Sequence, residues 1–404
     1  MREQKVRSMP SLSSKYDQWI PGVLSMHQIR ELIADDFIAN TSSAHGAFDY
    51  SSMDLHLTDE AYRLPNGSIK PSGTRYLYHL KQSSSYEKLS LENDGAFLLK
   101  RQQTHLFKLS ERLGLGEFIR GIGGLYGQAT AKSSVGRVDV LARLIVDGSR
   151  DYEVFAPDDF TVRDGNGDMY VEITPITFDV KLRPGGSVNQ LRMFLGAPHE
   201  VELKGDVLYR RVLRTPAGNS DGSLSVNLDD TTICGESTAA FVATPPTSQA
   251  PREPICLWHD AERAKPNPRP FWSLLRADEH KRLTIEKDNF YILRSKEAIA
   301  LPKGVAVYCR ASDETIGEMR IHYAGFVHPL FGYNRTDGKV GTPLIFEVRG
   351  HNVNVSLVDG ERMAKLTFYR MSEDAVSDTE IDMSYNDQEL QLSKYFGDWS
   401  ASQN

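Results

Sequence analysis

Apolar and polar residues alternate with a period of two in several short stretches, among them Met53-Asp-Leu-His-Leu57, Phe178-Asp-Val-Lys-Leu182 and Val353-Asn-Val-Ser-Leu357. That period sends successive side chains to opposite faces of a strand. Turns carrying Gly, Pro, Asp or Asn punctuate the stretches, as short strands require. Helical periodicity is scarce. Ser25 followed by Met-His-Gln-Ile-Arg-Glu-Leu-Ile-Ala34 predicts a capped amphipathic helix with Ile29, Leu32 and Ile33 on one face. The stretch from His199 to Leu213 is its predicted counterpart. Many short strands predict a mainly β fold, a barrel or a sandwich. No apolar run approaches the ~18 residues that span a bilayer, so no transmembrane helix is expected. Met1-Arg-Glu-Gln-Lys-Val-Arg7 has no apolar stretch after its charges, so no secretory signal is expected.

The pattern repeats itself. Leu89–Lys100 aligns with Leu283–Arg294 at an offset of 194, superposing Glu92 on Glu286 and Asp94 on Asp288. Val180–Gly185 aligns with Val355–Gly360 at an offset of 175, which also matches Leu191 to Leu366 and Glu172 to Glu347. Ser52–Leu57 aligns with Ser223–Leu228 at an offset of 171. Three collinear matches point to duplication. The expected organisation is a first lobe over residues 1–195, a second over 196–372 and a tail over 373–404. The Pro-rich pieces Ala243–Pro251 and Lys265–Pro270 read as loops of the second copy. The tail is acidic, then amphipathic through Leu390, Leu392, Tyr395, Phe396 and Trp399, and reads either as a docked segment or as a partner-binding arm.

Composition narrows the classes of function. Of 404 residues 40% are apolar and 25% charged, enough for a packed core. The net charge of −7 argues against broad binding to nucleic acid, but leaves room for a small anion on a local cluster of donors. Cys234, Cys256 and Cys309 form no Cys-x-x-Cys pair, so neither a disulfide framework nor a cysteine zinc site is expected, and a reducing cytoplasm suits the chain.

Four stretches carry candidate chemistry. Ala131-Lys-Ser-Ser-Val-Gly-Arg137 packs two cations and two hydroxyls into a turn. Lys132 and Arg137 can neutralise phosphate, and Ser133, Ser134 and the turn's N–H groups can donate to its oxygens. An ordinary polar turn is the bland alternative. The second copy keeps Arg310 and Ser312 there but adds Asp313 and Glu314, poor chemistry for a polyphosphate. Tyr323–Gly332 places a Gly and a Pro in an apolar hairpin where backbone can approach a flat base; a tight structural hairpin reads equally well. Glu172 and Glu347 recur amid apolar strand residues. A carboxylate withdrawn from water suits proton transfer near neutrality, whereas one pointing outward is only a surface residue.

Together these stretches resemble the dCTP deaminase branch of the trimeric dUTPase superfamily, in its fused double-copy bacterial form. Lys132–Arg137 is similar to the family's Arg-Ser-Ser-x-x-Arg motif. Ala324–Gly332 is similar to its Ala-x-x-Ile-Asp-Pro-Gly-x-x-Gly hairpin, Glu172 and Glu347 to its strand glutamate, and Leu182-Arg-Pro-Gly185 with Gln190-Leu191 to its closing segment. The resemblance implies two tandem dUTPase-like β-barrel lobes of jelly-roll type with a few short helices. It implies hydrolysis of dCTP to dUTP and ammonia for pyrimidine deoxynucleotide synthesis, with a glutamate base instead of zinc. Magnesium would enter bound to the nucleotide, dTTP would be a candidate inhibitor, and the assembly would be a homotrimer of two-lobe chains. The implied catalytic set is Glu347, Arg137, Ser133 and Glu172. The implied substrate contacts are Lys132, Ser134, Arg310, Ser312, Ala324, His328, Gln190 and Lys365. The zinc deaminases' His-x-Glu and Pro-Cys-x-x-Cys pairs are absent.

The departures are informative. Lys132 replaces an Arg, His328 the hairpin Asp, and Leu330 the Gly after it. The first copy has no readable hairpin, and the second lacks the Ser-Ser-x-x-Arg set. Each copy thus keeps what the other lost, which predicts one site built from both. A dUTPase, a bifunctional deaminase–diphosphatase and a non-catalytic nucleotide binder are the alternatives.

Overall fold

In the computed structural model the described residues are 16–41, 47–83, 85–114, 124–161, 167–213, 221–258, 263–311, 319–322, 325–333, 335–376 and 385–399. The fold is mostly β, with two large antiparallel sheets and short helices. In the first, Ser52–Leu64 runs between Ser187–Leu195 and Thr104–Leu113, which in turn pairs with Asp168–Pro175 and then Val140–Val146. In the second, Ser223–Asn227 lies between Arg362–Arg370 and Phe290–Ile299, and Thr342–Gly350 pairs with Phe290–Ile299. The strand order is the same in the two sheets, as a duplicated chain demands.

Cross-strand partners correct the offsets of the repeat. Leu99 and Ile285 oppose Val180 and Val355, so they are equivalent and 186 residues apart, not 194. The pairs Leu57–Leu109 and Val226–Ser295 put Ser52–Leu64 and Ser223–Asn227 at an offset of 169, not 171. Side chains confirm this register. In the first lobe the backbone N–H of His56 donates to buried Glu111 at 2.8 Å; in the second that of Ser225 donates to buried Glu297 at 2.7 Å. Each glutamate satisfies an N–H that a ladder irregularity frees. The hairpin also has its first-copy counterpart. Val154–Phe155 pairs with Leu125–Ala131 as Gly325–Val327 pairs with Val305–Ala311, aligning Phe155-Ala-Pro157 with Val327-His-Pro329.

The helix Met26–Ala34 forms as expected, with a reciprocal capping box between Ser25 and Gln28. The counterpart over 199–213 is a 3-10 turn, Pro198–Glu200, and a short helix, Asp206–Val212. Gly205 and a strand at Glu202–Leu203 break the longer pattern.

The lobes are joined by more than sequence. Phe178 of the first lobe packs edge-on against Phe271, with ring centroids 5.6 Å apart, and lies 5.9 Å from Trp272. The C-terminal segment docks here, burying Leu390, Leu392, Tyr395, Phe396 and Trp399 in the same core. Of the two readings of the tail, the docked one is the observed one. Arg192, wholly buried in the first lobe, donates to the carbonyls of Val307 and Val327 in the second. Among the described residues no helix is long and apolar enough to cross a membrane.

Candidate functional site

The turn after Leu125–Ala131 starts with Lys132 in an extended conformation, followed by one helical turn over Ser133–Gly136. Hydrogen bonds from Gly136 and Arg137 to the carbonyls of Lys132 and Ser133 wind it tightly enough to set Ser133 beneath Arg137, whose Nε donates to Ser133 Oγ at 3.2 Å. The Arg137 guanidinium is buried. It donates to Gln388 Oε1 at 2.5 Å and to the Gln391 carbonyl at 3.3 Å, and stacks 4.2 Å over Tyr385, all three in the C-terminal segment. Burial pulls its pKa below arginine's usual value, with Tyr385 and Glu347 opposing. Lys132 is ion-paired with Asp54. Ser134 is buried, and its carbonyl accepts from Ser393 Oγ at 2.6 Å.

Glu347 comes from the other lobe, on Thr342–Gly350. Its carboxylate lies against Gly136, where a Cβ would stand 2.8 Å from Oε2. Burial pushes its pKa up to about 8; Arg137 opposes the rise and Asp139 adds to it. The neighbouring Cys309 thiol is pushed up to about 12 by burial, with Glu347 adding. It is therefore neutral at pH 7 and a poor nucleophile.

These groups open onto a cavity of about 1060 Å³ lined by both lobes and by the C-terminal segment. Such a volume accommodates a nucleoside triphosphate. Lys132, Ser133, Ser134, Arg137 and Gln190 line it from the first lobe, and Arg310, His328 and Glu347 from the second. The His328 ring is 5.4 Å from Tyr50 and 5.5 Å from Phe331. Leu330, at the place of the resembled hairpin's Gly, has φ +68°, which explains why that pattern carries Gly there. Further cations reach the cavity through Arg263, Lys265 and Lys394.

Two expected residues are placed elsewhere, and two lie outside the described residues. Glu172 is buried in the first lobe, ion-paired with Arg143, and accepts from Ser68 Oγ at 2.8 Å and Tyr152 OH at 3.2 Å. It does not line the cavity. Lys365 is exposed on Arg362–Arg370 and does not line the cavity either. Ser312 and Ala324 fall outside the described residues.

The residues missed by the sequence reading include Asp54 and His56, which share one face of an alternating strand, and Tyr385, Gln388 and Lys394 of the tail. The first pair was signalled by the alternation at Met53–Leu57. The tail residues carried no signal beyond amphipathicity. Among the described residues no group of three or more His, Cys, Asp or Glu side chains is arranged to hold a metal ion.

Residues 20–197 match the N-terminal domain of the 2'-deoxycytidine 5'-triphosphate deaminase family, and residues 257–396 match its C-terminal domain. No curated relative matches the chain. The crystal structure of 2'-deoxycytidine 5'-triphosphate deaminase from Agrobacterium tumefaciens superposes with a TM-score of 0.75 at 26% identity, covering 88% of this chain and 97% of that one. A calcium binding mutant of Bacteroides uniformis beta-glucuronidase 2 matches only at TM-score 0.14 and 10% identity, over 78% of this chain and 27% of that one. With both domain patterns in order along one chain and a whole-length structural counterpart, this protein belongs to the 2'-deoxycytidine 5'-triphosphate deaminase family.

Proposed function

We propose that the cavity between the lobes is the site of dCTP deamination, with Glu347 as the proton-transfer group and no metal acting at the ring. The observation that carries this reading is the meeting of Glu347 with Arg137 and Ser133 across the lobe boundary in one cavity. Water adds to C4 of cytosine, and Glu347 takes its proton. That proton passes to N3 and stays there; Glu347 then carries the proton of the new C4 hydroxyl to the exocyclic amine as the C4 carbonyl forms and the C4–N bond breaks, so that dUTP and ammonia leave. A carboxyl near pKa 8 exchanges protons readily at neutral pH, giving as well as taking. Arg137, locked by Gln388, Gln391 and Tyr385, steadies the carboxylate and the developing charge. The hairpin ending at His328 supplies backbone groups to the base. Lys132, Ser134, Arg310 and Lys394 face the triphosphate, which enters as its magnesium complex.

Each chain then holds one site, and a trimer of chains holds three. The test is product analysis with dCTP and magnesium, for wild type and Glu347→Gln. Ammonia and dUTP should form with wild type. The variant should lose turnover by about 10³-fold or more while nucleotide still binds. A variant keeping most of its rate removes Glu347 from the mechanism. Diphosphate released in place of ammonia assigns the cavity to phosphoanhydride cleavage. Calorimetric titration should give one nucleotide per chain.

A further inference from the structure

Thr342–Gly350 presents two charges to the first lobe. Glu347 and Arg349 are two residues apart and so share one face of the strand. Opposite them are Arg137 and Asp139, also two residues apart. Glu347 and Arg137 both line the cavity within electrostatic reach of each other, and Arg349 is ion-paired with Asp139. The signs alternate on both elements, so each charge faces its opposite across the lobe boundary.

The outer pair is built in. Asp139 is fully buried and Arg349 nearly so. Arg349 is ion-paired with Asp139, donates to Thr177 Oγ1 at 2.5 Å and donates to the Asp288 carbonyl at 2.6 Å. Thr177 also donates to Asp139. The Asp139 backbone is tied at both ends, its N–H to the Gly136 carbonyl at 2.8 Å and its carbonyl to the Ile176 N–H at 2.9 Å. It sits at φ +59°, a conformation that glycine adopts at less cost. A strained, buried aspartate opposite a buried arginine is hard to explain by stability alone, since such pairs gain little over apolar replacements.

We propose that Arg349 is a positioning residue for deamination, neutralising Asp139 and clamping the Ser133–Asp139 turn to the strand that carries Glu347. This rests on the reading of Glu347 as the proton-transfer group. The charges that bear on Glu347 are Arg137 and Asp139 from the turn, and the neutral Cys309 of Val305–Ala311 is a neighbour. Tyr385 stands beyond Arg137 on the C-terminal segment, and His322 lies opposite Glu347 in register on Met319–His322. Asp139 adds to the rise at Glu347 even with Arg349 paired to it, and without Arg349 that anion would stand with no cation beside it.

The test is a double-substitution cycle read as the pH dependence of kcat/KM for dCTP. Arg349→Met leaves the anion uncompensated, so the limb on which activity rises with pH should move up by about one pH unit. Asp139→Asn leaves the cation uncompensated and should move the limb down. The double variant and Arg349→Lys should both return it to the wild-type position. A purely structural role would lower kcat or Tm without moving the limb in opposite directions, and that result overturns the proposal. If Arg349→Met does not fold, Asp139→Asn and the charge-neutral double variant still decide. A Glu347→Gln enzyme that retains its rate would instead sink the underlying reading, whatever the cycle shows.

Discussion

Gly136 of the first lobe and Glu347 of the second are in direct contact: a Cβ on Gly136 would lie 2.8 Å from Glu347 Oε2 and 3.1 Å from its Cδ. Gly136 closes an ordinary helical turn, so what it provides is space. Gly136→Ala should push the carboxylate aside. A displacement on the order of 1 Å at a reacting group costs roughly 100-fold in rate. The expected outcome is a kcat loss of that order with Tm little changed, because the obstructing atoms end a side chain that can turn away.

The two strand glutamates, alike in sequence, should behave oppositely. Glu172 is ion-paired with Arg143 and receives Ser68 and Tyr152. Glu172→Gln removes the charge from a buried carboxylate and strands a half-buried guanidinium, a loss of roughly 1–3 kcal/mol. Denaturant unfolding should show that destabilisation, while kcat per folded molecule stays at the wild-type value. A large kcat loss with stability intact would give Glu172 a part in the chemistry.

Why the sequence slipped the register of two segments and still revealed the duplication has one physical cause. A strand pattern repeats every two residues, so an alignment slipped by an even number keeps every side chain on its proper face. The offsets of 194 and 171 differ from the structural 186 and 169 by even numbers. Only cross-strand partners, such as His56 with Glu111 and Ser225 with Glu297, fix the register. Lys132–Arg137 was readable because its chemistry is concentrated in one short turn. Arg143 was not, since nothing local shows that a strand arginine is spent on Glu172. The hairpin counterpart at Phe155-Ala-Pro157 was hidden by the acidic residues after it.

Glu347 should also leave a mark on stability. Its carboxyl stands at about 8 in the folded protein against an ordinary 4.5. Below pH 4.5 both folded and unfolded chains hold the proton. Between 4.5 and 8 the unfolded chain releases it and the folded chain keeps it, so stability falls as pH rises through this window. Above 8 both are ionised and the loss levels off. Glu153, pushed up to about 7 by burial, acts in the same direction but is common to wild type and variant. The Tm of Glu347→Gln minus that of wild type should therefore grow from pH 5 to pH 8 and then flatten. A difference independent of pH would mean that the Glu347 carboxyl titrates as an exposed one.

The C-terminal segment does two separable things. Trp399 packs against Phe241, with ring centroids 5.5 Å apart, and beneath Arg269 at 4.8 Å. Gln388 instead accepts from Arg137 and donates to the Pro343 carbonyl at 2.9 Å, bridging the first-lobe turn to the strand of Glu347. Trp399→Ala should cost about 3 kcal/mol of stability through the cavity it leaves. Below its lowered Tm it should keep the wild-type kcat, because residues 385–391 still seat Arg137. Gln388→Ala removes little apolar surface but frees the guanidinium to swing. It should lower kcat by roughly tenfold or more with only a small change in Tm. Measuring kcat and Tm on both variants checks the separation. If Trp399→Ala lost kcat well below its Tm, the tail would act as a single unit, and the seat of Arg137 would depend on a tryptophan eight residues beyond its last contact at Gln391.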